Sequence, residues 1–134
     1  MKTEDKQLLI EDLCARLSYG VKISVNDKVE TLQGINIPDN IVEYDSFLAS
    51  DIEEVRPYLF PMSSMTEEQR LEVEILTNGT IGIDQDSIWD LTGYSELNIS
   101  TTLEIIQWLY KNHFDYRGLI DKDLAIDATG KNIY

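Results

Sequence analysis

Between Asp5 and Leu17 apolar residues recur at helical spacing. Leu9, Leu13 and Leu17 stand at i, i+4 and i+8, with Ile10 and Cys14 beside them. This predicts an amphipathic first helix that stops near Gly20. The period then changes to two: Val21, Ile23 and Val25 alternate with Lys22 and Ser24, the signature of a half-buried strand. Asn26-Asp27-Lys28 reads as a tight turn, Val29 to Ile37 as a second strand with Gly34 marking a bulge, and Pro38-Asp39-Asn40 as another turn. Ile41 to Leu48 reads as a third strand, with Val42, Tyr44, Ser46 and Leu48 on one face.

The stretch from Asp51 to Thr66 joins this β-rich front half to a helical back half. Asp51 is placed to cap a single turn over Ile52 to Val55, and Pro57 keeps Arg56 extended. Tyr58, Leu59, Phe60 and Met62 form a dense apolar run. Pro61 lacks a donor, which argues against a central strand, so the run reads as a clamp pressed on the core. Its exposed remainder, Glu53, Glu54, Arg56 and Tyr58, is the candidate partner-binding surface.

Thr66 followed by Glu67, Glu68 and Gln69 fits a capping box. A second helix follows to Leu76, with Leu71, Ile75 and Leu76 as its apolar stripe and Val73 off that stripe. A competing strand pattern, Leu71-Glu-Val-Glu-Ile75, would turn at Asn78-Gly79. Ile81, Ile83, Ile88, Trp89 and Leu91 read as a hairpin. Thr101 to Asn112 is the third helix, capped by Thr101 with Glu104. Leu103, Ile106, Leu109 and Tyr110 line one side of it, broadened by Ile105 and Trp108. Leu119 to Ile126 reads as a turn and short strand, and residues 128–134 as a frayed tail. The expected fold is a single α+β domain over residues 1–134. It has an N-terminal helix, an antiparallel meander of about three strands (a small open barrel being the variant), and two further helices with a hairpin between them.

Charge changes this picture. The net charge is −14 over 134 residues. Between Asp39 and Glu104 there are 15 acids and only two bases, Arg56 and Arg70, whereas the rest of the chain is near neutrality at −1. Direct phosphate binding needs clustered Lys and Arg, so direct nucleic-acid binding is excluded. The acidic excess suits either solubility or a basic protein partner. A nucleic-acid mimic that inhibits a DNA-binding enzyme is the alternative, and it requires the acids to share one face. No apolar run reaches the roughly 18 residues of a membrane span, and the N-terminus lacks the apolar core of a signal peptide. A single cysteine, Cys14, fits a reducing, cytoplasmic location.

The residues offer little chemistry. Cys14, beside the core stripe, reads as a buried, inert thiol. His113 is the one histidine; it closes the third helix, where a cation suits the dipole. A hydrolase using His113 and Asp115 would need a third group that the sequence does not supply. Asp84, Asp86 and Asp90 suggest a calcium loop, but a loop counted from Asp84 has Trp89 where glycine is required and Ser95 where glutamate is required. Phosphate-loop, zinc-spacing and dinucleotide motifs are absent, and no cofactor or metal is expected. Trp89 or Tyr94 would serve a homodimer contact if exposed.

Three blocks carry a resemblance: Leu13-Cys-Ala-Arg-Leu-Ser-Tyr-Gly-Val21, the block from Val55 to Glu68, and His113-Phe-Asp-Tyr-Arg-Gly-Leu-Ile120 with Leu124-Ala-Ile126. Together they resemble a family of small acidic proteins from Bacteroides-type gut anaerobes, their phages and mobile elements. The resemblance does not extend to residues 77–100. It implies a cytoplasmic, phage- or mobile-element-linked protein and assigns no activity and no functional residues. An interaction module is the leading expectation.

Overall fold

Leu9 and Leu13 turn inward from the first helix, α1 (Thr3–Arg16), and are fully buried. Glu4 and Asp5 occupy its first turn and Arg16 its last, the polarity that the helix dipole favours. One turn of 3-10 helix follows (Leu17–Tyr19), and Gly20 ends it at φ 70°, a left-handed position suited to glycine. The structure is a computed structural model that describes residues 1–45, 48–76, 81–83, 88–90 and 99–134, with side chains described for all of these except 81–83, 88–90 and 99–101. It is an α+β fold with an N-terminal helix, a mixed sheet of several strands and further helices. The chain forms two compact units: residues 1–59 with 117–134, and residues 60–116.

In the first unit, β1 (Lys22–Val25) pairs antiparallel with β2 (Lys28–Asn36). Asn26 and Asp27, at φ 51° and 64°, make the two-residue turn between them, the left-handed pair that matches strand twist in a tight hairpin. β2 pairs with β3 (Ile41–Tyr44), with a register shift between Leu32 and Gly34, and β3 with β4 (Ala49–Asp51). Val21, Ile23 and Val42 are fully buried, as their alternation requires. The third strand ends at Tyr44 and does not run to Leu48. Leu48 is 60% exposed, and Ser46 lies outside the described residues.

Asp51 caps the turn of 3-10 helix Ile52–Glu54, its Oδ1 accepting from the Glu53 N–H at 2.9 Å. The chain then enters β5 (Val55–Pro61). The expectation that Pro61 argues against a central strand is corrected: β5 pairs on both edges. Within the first unit it lies antiparallel to β1, with Ile23 opposite Pro57. Further along, Tyr58 and Leu59 pair in parallel with Ile126 and Asp127. Within the second unit, Phe60 and Pro61 pair in parallel with Phe114 and Asp115. Each proline stands at the last position of a short ladder, where a missing N–H is tolerated.

The second unit contains α2 (Glu67–Leu76), the strands β6 (Ile81–Ile83) and β7 (Ile88–Asp90), α3 (Ile99–Lys111) and β8 (Phe114–Asp115). Thr66 Oγ1 accepts from the Gln69 N–H at 3.2 Å, and Gln69 Oε1 accepts from the Thr66 N–H at 2.9 Å, a reciprocal capping box. β6 and β7 pair antiparallel, with Ile83 opposite Ile88. Asn78, Gly79 and the connector 84–87 lie outside the described residues. α3 begins at Ile99, so Thr101 stands within its first turn and not at its cap. Its core contacts come from Ile105 and Leu109, while Leu103 is 52% exposed. Ile105, Leu109, Val73, Met65 and Phe114 form this unit's core. Trp108 stacks on Phe114 with ring centroids 5.7 Å apart and donates Nε1–H to Glu72 Oε2 at 3.3 Å.

β9 (Ile126–Asp127) leads into the C-terminal segment. That segment is anchored, contrary to the expected fraying. Ala128 is buried, and its N–H donates to Leu59 O at 2.8 Å. The β1–β5 pairing stops at Ile23 and Pro57. One residue further, the Tyr134 hydroxyl donates to Tyr58 O at 2.7 Å and accepts from the Lys22 N–H at 2.9 Å. A phenol thus continues the ladder where the two strands cease to pair directly.

Candidate functional site

Pairing of Ser24 with Arg56 and Val25 with Val55 brings the Asn26–Asp27 turn alongside the Ile52–Glu54 turn. Between them lies a groove of about 210 Å³ lined by Ser24, Asn26, Asp27, Glu53, Glu54, Arg56 and Ile126. Three of the four residues singled out in the sequence, Glu53, Glu54 and Arg56, therefore share one surface feature. The fourth does not. Tyr58 is only 8% exposed and contributes its carbonyl to the Tyr134 hydroxyl.

The groove's charges differ in how they are already engaged. Lys6 Nζ lies 2.9 Å from Glu53 Oε1. Its hydrogen bond and charge hold the Glu53 carboxyl below the ordinary range, and Glu53 in turn raises the Lys6 ammonium. Arg56 Nη2 meets Asp123 Oδ2 at 3.1 Å, an exposed pair of the kind that contributes little to stability. Among the described residues, Asp27 and Glu54 have no ion-pair partner. The groove is thus electronegative on balance, with an aliphatic wall at Ile126. Its volume is below the roughly 300–1,000 Å³ of a small-molecule pocket and suits a single inserted side chain.

A wider cavity of about 600 Å³ is lined by Gln33, Glu43, Tyr44, Asp45, Leu48 and Ala49. Asp45 there is held below the ordinary carboxylate range by a hydrogen bond with Glu30 and by the Thr31 N–H. The chain between Asp45 and Leu48 lies outside the described residues.

Other sequence candidates fall as follows. Cys14 is exposed, a correction to the expected buried thiol. Partial desolvation raises its pKa, which lowers its thiolate fraction. His113 has φ 63° and closes α3: its N–H donates to Tyr110 O at 3.1 Å and its carbonyl accepts from the Phe60 N–H at 2.8 Å. Asp115 is buried in β8. Among the described residues no cluster of three His, Cys, Asp or Glu is arranged to hold a metal. Asp84 and Asp86, the side chain of Asp90, and the side chains of Trp89 and Tyr94 lie outside them. No described helix is long and apolar enough to cross a membrane.

Sequence reasoning missed the most deeply buried charges. Asp12 and Arg16 are both 0% exposed, with Arg16 Nε 2.8 Å from Asp12 Oδ2 and Arg117 Nε 3.3 Å from Asp12 Oδ1. The signal was present: Leu9, Asp12, Leu13 and Arg16 stand at i, i+3, i+4 and i+7, a single helix face. Comparisons with protein-family models, with curated proteins and with solved structures found no match to this chain.

Proposed function

We propose that the protein is a non-catalytic interaction module, cytoplasmic and linked to a phage or mobile element, that engages a basic partner protein. The observation that carries this reading is the groove in which Asp27 and Glu54 lie without ion-pair partners among the described residues, beside the aliphatic Ile126. A lysine or arginine side chain lays its methylene stem along an apolar wall and presents its charge to carboxylates. Arg56 is held by Asp123 and so offers limited opposition.

The test is fluorescence anisotropy with lysine- and arginine-containing peptides, followed by affinity capture from host lysate over a salt series. Binding that weakens as salt rises and falls at least tenfold in Asp27→Lys and Glu54→Lys supports the reading. Unchanged binding in both variants refutes it. A captured DNA-binding protein that duplex DNA displaces would replace it with the nucleic-acid mimic. Recovery of the chain alone would replace it with a homodimer.

A further inference from the structure

We infer that the outward face of α2 is a second docking strip, fitted to a basic amphipathic helix of a partner protein. Val73 is fully buried, so α2 is rolled with its most apolar stripe outward: Leu71 is 53%, Ile75 76% and Leu76 42% exposed. One exposed leucine needs no explanation, but Leu71 and Ile75, one turn apart and both more than half exposed, make a continuous apolar strip, with Leu76 exposed at the C-terminal end of the helix beyond Glu72. Helical geometry places Glu67 and Glu74 along one side of Leu71 and Ile75, and Glu68 and Glu72 along the other. Arg70, the one base on this helix, pairs with Glu67 at 2.8 Å and is only 24% exposed.

An apolar seam with charged flanks is one half of a helix pair whose flanking charges select the partner. A second copy of this chain would set glutamate against glutamate, which is unfavourable at each contact. A helix with lysine or arginine beside its seam is complementary on both flanks. Ten residues span about 15 Å, so the partner's seam needs apolar residues over about two to three turns. This strip does not depend on the groove.

The probe is a fluorescein-labelled 21-residue helix with leucine along its seam and lysine on its flanks, titrated against the full chain. Its controls are a scrambled peptide of the same composition and a counterpart with glutamate flanks. The expected result is binding of the lysine helix at least tenfold tighter than of the scramble, lost in the double variant Leu71→Asp/Ile75→Asp. Glu68→Lys should weaken the lysine helix and favour the glutamate one. Equal affinity for helix and scramble, or unaltered binding by the double variant, overturns the inference. So does a fall in Tm of more than a few degrees in the double variant, which would mean that the strip packs within the chain itself. A dimer in sedimentation that the double variant dissociates would make a second copy the occupant and equally overturn it.

Discussion

Arg16 lies 2.8 Å from Asp12, one turn away on the same helix, and neither side chain is exposed. Taking two charges out of water is expensive, and their attraction offsets it only while both are present. Arg16→Met alone should destabilise the fold by about 3–5 kcal/mol, since it leaves Asp12 buried without the charge 2.8 Å away. The double variant Asp12→Leu/Arg16→Met should recover most of that loss. Urea denaturation of the three proteins checks both; a double variant no better than Arg16→Met alone would contradict the account.

Burial pushes the Tyr134 hydroxyl up to about 12, although the residue as a whole is 41% exposed. A phenol that ionises near 10 in the unfolded chain then stays protonated in the fold to higher pH. The folded state binds more protons across that window, so stability is fully present below pH 10 and falls as pH rises from about 10 to 12. Tyr134→Phe should abolish this slope and, by removing the bridge between Lys22 and Tyr58, lower stability at pH 7 by about 1–3 kcal/mol. Absorbance titration of the phenolate, with denaturation at pH 7, 10 and 11.5, measures both.

The roll of α2 makes opposite demands on neighbouring residues. Val73→Ala should destabilise by about 2 kcal/mol, as the loss of buried methyl groups does. Leu71→Ala should lie within about 0.5 kcal/mol of wild type. Equal losses at both sites would mean that the helix is rolled differently.

Glu53 should titrate below an ordinary glutamate, and Lys6→Met should bring it back towards the usual range, because Lys6 is the largest cause of the shift. Carbon-13 chemical shifts of the Glu53 carboxyl against pH would show this. No change in Lys6→Met would place the cause elsewhere.

The strands were the most legible part of the chain. A period of two ties each side chain to one face, so Val21, Ile23, Val25 and Val42 are buried as read. Helix starts were legible where local chemistry fixes them, as at Thr66. Helix roll was not, because it depends on what lies across the interface: Val73 fills the space beside Met65 and Phe114, and the more apolar Leu71 and Ile75 are left outside. On α1, hydropathy favoured Cys14 over Asp12 and Arg16. The ion pair with Arg117, distant in sequence, reverses that order. The exposure of Glu53, Glu54 and Arg56 was legible from their turn and strand. The burial of Tyr58 was not, because the hydroxyl that claims its carbonyl comes from Tyr134.

β5 takes partners from opposite directions in time. Its β1 neighbour has already left the ribosome when Val55 appears, but β9 follows Tyr58 by 68 residues. At about 5–20 residues per second, that separation lasts roughly 3–14 s. During synthesis one side of β5 therefore waits with unpaired N–H and C=O groups, flanked by Leu59 and Phe60, ready to recruit another nascent chain. Pro57 and Pro61 remove two of the donors that such a misplaced strand would use. The prolines that make β5 an unlikely central strand by composition would thus protect it until its own neighbours are made.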